Sequence, residues 1–317
     1  MKIIAAWTFL FFASAVFLSL CSWIFVSAFQ KGFKKKLSER DFFFALNWPV
    51  FVSFMISILS AGYLCRGSFP DLFLYLGLLL TSYFIFAVVK TAYYYYQAKI
   101  LEGKILKTAF LPSAKLQEVL MRARILYGKE FYFCESEEIE PICAVFGFTK
   151  TWGVISKALV EKLSQNELEA VVWHEVCHIM KKDNIKKLFS FFSFQLLKFF
   201  PWNRSLFEQW EEVSELSCDQ FAMTRTFDPI YLASAITSAA LFENSAVPLL
   251  ASAFSRKKSQ AVRRVEAVLE KLENPKSFQS SSLFSWILTL TAGTCFSFVL
   301  EFHLVPVFLC FLDGCRI

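Results

Sequence analysis

His174-Glu175-Val176-Cys177-His178 spends two of the chain's three histidines on positions four residues apart, with a carboxylate between them. On an α-helix such residues share a face, so both imidazoles can hold one zinc ion while Glu175 stands within reach of a water there. The chemistry this suggests is zinc-dependent hydrolysis of a peptide bond. Two histidines on a helix can also form a satisfied polar spot, and the neighbouring residues decide between the two readings.

Those neighbours favour a real helix. Ser164 followed three residues later by Glu167 has the spacing of a capping box. Leu168, Val171, Val172 and Val176 then form an apolar stripe at helical spacing, and Lys181, Lys182 and Asp183 bring polarity at the far end. Upstream, residues 112–127 read as an amphipathic helix closed by Gly128. Residues 130–134, 142–148 and 152–156 read as short strands, with 149–151 as the turn joining the last two.

A hydrolytic zinc site usually has three protein ligands and one open position. Ser205 and Glu208 read as a second capping box, opening a helix that carries Glu208, Glu211, Glu212, Glu215 and Asp219. Four of these carboxylates, at 208, 212, 215 and 219, fall along one helical stripe. Glu215 is the expected third ligand beside His174 and His178, for one Zn2+ per chain.

The positioning elements sit in an unusual solvent. The chain is 56% hydrophobic with 39 phenylalanines, and its mean hydropathy is +0.47. That is well above ordinary globular composition and identifies an integral membrane protein. Residues 3–29, 42–64, 72–96 and 283–312 are each long and apolar enough to cross a bilayer as a helix. The first run is too long for a signal-peptide core, and its basic residues follow it, so it reads as a retained span.

Lysine and arginine placement gives the orientation. The loop after the first span carries Lys31, Lys34, Lys35, Lys36 and Arg40, whereas the next turn offers only Arg66. The basic loop should be cytoplasmic, the material after the third span likewise, and both termini outside. The expected fold class is mainly α and integral to the membrane, with about four transmembrane helices. Its domains are a three-span region at 1–97, a cytoplasmic α+β zinc-peptidase domain at 98–281, and a fourth span with a short tail at 282–317.

Residues 188–200 are apolar nearly all round but too short to span. They read as an interfacial or half-inserted helix, with Lys186, Lys187 and Lys198 at the lipid headgroups. Positive-inside topology and anionic lipid account for the net charge of +6, so no direct nucleic-acid binding is expected. Of the nine cysteines, Cys134, Cys143, Cys177 and Cys218 fall in the reducing cytoplasmic part without a C-x-x-C spacing. No disulfide framework is expected.

Glu215-Leu216-Ser217-Cys218-Asp219 resembles the Glu-x-x-x-Asp element that accompanies His-Glu-x-x-His in membrane-bound gluzincin peptidases. The run His178 to Asn184, the Cys-Asp ending of the second element, and three spans before the site with one after it are similar to the bacterial beta-lactam sensor-transducers, the Bla and Mec regulators. That resemblance implies Glu215 in the zinc shell and Asp219 orienting a histidine. It also implies an edge strand beside the metal that pairs with an extended substrate, here Ala144-Val145-Phe146-Gly147. An ordinary core hairpin would read the same way. Arg264 resembles an arginine of the membrane zinc peptidases and is the candidate to face the tetrahedral oxyanion.

Those sensors continue past the fourth span into a penicillin-binding domain, whereas this chain stops a few residues after 312, so the expected source of any signal is a partner, the lipid or the spans themselves. Glu175 would act as the base and return its proton to the departing amine. The expected partners are a protein or peptide substrate, either a cytoplasmic repressor or the chain itself, and membrane lipid. A housekeeping protease of the HtpX or prenyl-protein endopeptidase type, and a signalling protein with an idle site, are the competing readings.

Overall fold

The computed structural model describes residues 2–33, 38–64, 71–128, 130–137, 142–226, 228–240, 252–253 and 258–273. The expected fourth span at 283–312 lies outside the described residues. Three long helices come first: α1 (Lys2–Phe33), α2 (Glu39–Leu64) and α3 (Asp71–Thr108). Ser38 and Asp41 start α2 reciprocally, the Asp41 carboxylate accepting from the Ser38 backbone N–H at 2.8 Å and the Ser38 hydroxyl accepting from the Asp41 N–H at 3.3 Å. Thr8–Ala28 and Tyr75–Thr108 are long and apolar enough to cross a membrane. Together with the family assignment below, they make this a membrane protein.

The rest of the chain gives β1 (Ala109–Phe110), α4 (Ala114–Tyr127), β2 (Phe133–Ser136), β3 (Cys143–Phe146), β4 (Trp152–Ser156), α5 (Lys157–Lys162), α6 (Gln165–Lys181), α7 (Asp183–Leu196), α8 (Pro201–Met223), α9 (Ile230–Ala240), β5 (Ser252–Ala253) and α10 (Lys258–Glu273). The described residues divide into two compact units, one within 1–91 and 189–210 and the other within 92–188 and 211–278.

In the first unit, Phe11, Val50, Ala87, Leu196 and Leu197 share a core. Phe84 bridges Phe11 and Phe192 by edge-to-face contacts at 5.7 and 6.1 Å. The segment expected as an interfacial helix is the second half of α7 and the turn after it. Its polar backbone and side chains are met from the long helices: Asn47 donates to Ser190 at 3.0 Å and accepts from Ser193 at 2.8 Å, and Tyr83 donates to the Gln195 carbonyl. Packing on neighbouring helices thus takes up part of the apolar surface expected to face lipid, while Phe189 and Phe199 remain exposed.

The second unit is a sheet ordered β1-β2-β4-β3-β5 with helices packed on it. Leu116, Leu120, Phe131, Ile155, Leu168, Val172, Trp173 and Ile236 form its main core. Burying each such side chain contributes roughly 1.5–3 kcal/mol. The capping box of α6 forms as expected, Ser164 accepting from the Glu167 N–H at 3.3 Å and Glu167 from the Ser164 N–H at 2.7 Å. Gly128 closes α4 in the left-handed region at φ 68°.

Three local expectations need correcting. First, Ser205 and Glu208 do not open a helix: α8 begins at Pro201, whose fixed φ and missing N–H suit a first turn. Inside α8 the Ser205 hydroxyl accepts from Gln209, and Glu208 pairs with Arg204 at 2.9 Å. Second, β2 begins at Phe133, where its parallel register with Gly153 starts. A side chain at 153 would stand 2.2 Å from the Phe133 ring, so glycine is what lets that ring lie over the sheet. Third, β3 has no open edge beside Ala144 and Val145, because the chain returns and pairs β5 there, Ala144 with Ala253 and Val145 with Ser252.

Candidate metal centre and active site

Helix α6 places His174, Glu175 and His178 in the interior, each at most 1% exposed. One turn separates the imidazoles, and their Nε2 atoms face each other at 3.1 Å. Helix α8 brings the third donor: Glu215 Oε2 lies 3.5 Å from His174 Nε2, and Oε1 lies 3.7 Å from His178 Nε2. Donors 2.0–2.2 Å from a tetrahedral zinc stand roughly 3.3–3.6 Å from one another. The three residues therefore form a group that could hold a metal ion with one position left over.

The far ring atoms fix the tautomers. His174 Nδ1 is 2.9 Å from Asp219 Oδ1, and His178 Nδ1 is 2.7 Å from Asp183 Oδ2. Each carboxylate accepts from Nδ1–H, which leaves the Nε2 lone pair for a cation. Asp183 also accepts from Lys186 at 3.1 Å and from Ser214 at 3.4 Å. Cys218 Sγ lies 3.6 Å from His178 Nδ1, so the group His178, Asp183 and Cys218 is the outer surround of one ligand.

Electrostatics show the same appetite for a cation. Burial works against charge on His178, yet Glu215 and Asp183 raise its pKa to about 10. His174 is raised too, Asp219 and Glu215 prevailing over burial and Arg264. Despite its own burial, Glu215 is held well below the usual carboxylate range by His178, His174 and Lys187. The carboxylates Glu175, Asp183, Glu215 and Asp219 are met by the cations Lys181, Lys186, Lys187 and Arg264.

Glu175 has a different environment. Burial raises its pKa, tempered by His174 and His178. Among the described residues its carboxylate oxygens meet no N–H or O–H donor, only the weakly donating Cys143 thiol. A buried carboxylate left in this way beside a cation site is suited to bind and deprotonate a water. The Cys143 thiol faces it; burial keeps that thiol protonated, and the charge of Glu175 adds to the effect.

The family model described as BlaR1 peptidase M56 matches residues 76–268, which hold every residue of this group. The chain belongs to the BlaR1 peptidase M56 family. No curated protein matches it. M56 peptidases are metallopeptidases, so the donor group lies in a chain whose family does metal-dependent peptide hydrolysis.

In this M56 chain the remaining expected site residues fall as follows. Arg264 on α10 is 5% exposed and clamps Asp219 with two hydrogen bonds, Nε at 2.7 Å and Nη2 at 2.6 Å. Its Nη1 is 3.6 Å from Glu215 Oε2. Ala144, Val145 and Phe146 are buried, Phe146 stacking on Trp152 at 5.4 Å. Gly147 sits at φ +84°, and a Cβ there would be 2.0 Å from the Lys150 carbonyl oxygen, so the turn itself uses its bareness.

Three M56 residues escaped the sequence reading. In the sequence Asp183 reads as the polar end of a helix, and in the structure it faces His178. Asn184 donates to the Val145 and Gly147 carbonyls at 3.0 and 2.9 Å and ties β3 to α7. Lys187 was expected at the headgroups, but it is 3% exposed and lies 3.8 Å from Glu215 Oε1. The available signal was spacing: 183 and 187 are four apart, on one helical face.

Proposed function

We propose that this chain is a membrane-embedded zinc endopeptidase that cleaves a protein at or near the cytoplasmic membrane surface, in regulated proteolytic signalling. The observation that carries this reading is the trio His174, His178 and Glu215, with both imidazoles buried and each backed by a carboxylate, and Glu175 beside them. A zinc ion there would supply Lewis acidity and bring water within reach of neutral-pH deprotonation.

The chain's own residues then divide the work. Glu175 takes the water's proton at its carboxylate as the oxygen attacks the peptide carbon, and returns it to the amine nitrogen as the C–N bond breaks. Asp219 and Asp183 hold His174 and His178 in the tautomer that points Nε2 inward. Arg264 was the candidate for the oxyanion. We assign it instead to positioning, since two of its nitrogens are already spent on Asp219.

The proposed grip on substrate is β3, where an extended segment would have to take the place that β5 now holds. The substrate is then either the chain itself or a cytoplasmic protein such as a repressor. Lysine and arginine placement supports a cytoplasmic domain with both termini outside a bacterial inner membrane. The test is metal analysis and a cleavage screen of the purified protein against Glu175→Gln. Stoichiometric zinc in both and cleavage by the wild type alone are expected; equal cleavage would remove Glu175 from its role, and a wild type without zinc would end the reading.

A further inference from the structure

The first unit holds a cavity of about 320 Å³ walled by four helices. Phe11 comes from α1, Val50 and Phe54 from α2, Phe84 from α3 and Phe192 from α7. On α2 the lining runs from Phe43 to Phe54, about 16 Å of helix at 1.5 Å per residue, so the space is longer than it is wide.

Its two polar members, Asn47 and Ser193, are spent on the wall itself. Asn47 accepts from the Ser193 hydroxyl at 2.8 Å and donates to Ser190 at 3.0 Å and to the Phe43 carbonyl at 2.9 Å. Both amide hydrogens of Asn47 and the hydroxyl hydrogen of Ser193 are thereby committed, and a carboxylate or phosphate finds no side-chain donor in the lining. Hydrocarbon does find a place. Apolar cavities about half this size stay dry and take up hydrocarbon, and an unfilled one forfeits the dispersion contacts of its lining.

The cavity is reached from outside, since Phe51, Phe54 and Phe189 among its lining are 58, 40 and 59% exposed. Phe11 and Phe84 belong to Thr8–Ala28 and Tyr75–Thr108, the stretches long and apolar enough to cross a membrane. Along such a stretch the surrounding medium is lipid, as the exposed Leu79 and Val89 of α3 also require. We propose that this cavity binds one acyl chain of a bilayer phospholipid, seated between α1, α2, α3 and α7 with its headgroup outside. The occupant follows from the wall: it is elongated, carries no hydrogen-bonding group along its length, and arrives from the membrane. The site stands apart from the metal centre and does not depend on the peptidase reading.

The experiment uses the full-length protein in a steroid-based detergent, whose rigid rings do not enter a slot of this shape. Phosphatidylcholine with a diazirine midway along one acyl chain is titrated in and illuminated, and the adducts are mapped and counted by mass spectrometry in wild type and Val50→Phe. In the wild type, labelling of the lining on α2 and α7 should saturate at no more than one adduct per chain, while labelling at Leu79 and Val89 grows in proportion to the probe. Lysophosphatidylcholine should compete for the saturable site and glycerophosphocholine, which lacks the chain, should not. The added ring of Val50→Phe should abolish the saturable component and leave the proportional one. Proportional labelling everywhere would mean bulk lipid contact and overturn the proposal, as would a saturable adduct that Val50→Phe leaves intact. Equal competition by glycerophosphocholine would move recognition to the headgroup and end the acyl-chain assignment. A lining unlabelled at every concentration would mean that another part of the chain or a second copy fills the cavity, and overturns it too. If Val50→Phe does not elute as a folded, monodisperse protein, the wild-type map and competition decide alone.

Discussion

Asp183→Asn is the cleanest perturbation of the site. Asparagine keeps the size of the side chain and an oxygen to accept from His178 Nδ1, now 2.7 Å away, but removes the negative charge. Losing a carboxylate behind a metal-ligating histidine typically weakens metal binding by about 10–100-fold, or about 1.4–2.8 kcal/mol. The carboxylate stabilises any cation on the imidazole, whether zinc or a proton. Because Glu215 and Asp183 raise His178 to about 10 in the metal-free protein, zinc must displace a proton at neutral pH, and its affinity should climb with pH in the wild type. The asparagine variant gives up that proton more easily, so its deficit should be largest near pH 9 and shrink toward pH 6. Competition titration against a chromophoric chelator across that range measures both quantities. A dissociation constant unchanged at every pH, or a deficit that grows as pH falls, would refute the reasoning.

Other outcomes follow from the same geometry. Arg264→Gln should leave Asp219 charged and buried, destabilising the second unit by about 3–5 kcal/mol, read as a lowered thermal midpoint of the metal-free protein. Gly147→Ala should cost at least about 1–2 kcal/mol from the left-handed backbone alone, with the added clash against the Lys150 carbonyl; its denaturant midpoint should fall accordingly. In the metal-free chain, the raised His178 pKa means that its contribution to stability is full below about pH 6.5 and is lost as pH rises toward 10; thermal midpoints across pH 6–9 should fall on that limb. A reporter inserted at residue 35 should register the cytoplasm, and activity of a reporter that works only outside would invert the proposed topology.

The candidate donor group was legible because its signal is local. His174 and His178 share a turn, Ser164 and Glu167 announce the start of α6, and Glu215 stands on a carboxylate stripe at helical spacing. The start of α8 was misplaced because a plausible Ser-x-x-Glu lay just beyond Pro201, and a proline's backbone preference outweighed the optional side-chain cap. Asp183 and Lys187 were misread because nothing in a run of lysines and phenylalanines tells that the chain turns back on α6 there. The β5 pairing joins positions more than a hundred residues apart, and pairings of that range leave no local periodicity.

Lys182 marks that turn: it closes α6 at φ 53°, a left-handed conformation, and α7 begins at the next residue. One residue thus sets the phase between two helices. A single-residue insertion at this joint would rotate everything after it by about 100° about the helix axis, carrying Asp183, Asn184 and Lys187 away from His178, β3 and Glu215 together. The joint should therefore tolerate exchange of side chain, glycine above all, far better than any change in its length, and the backing of His178, the anchoring of the strand and the placement of the buried lysine would be gained or forfeited as one inheritance.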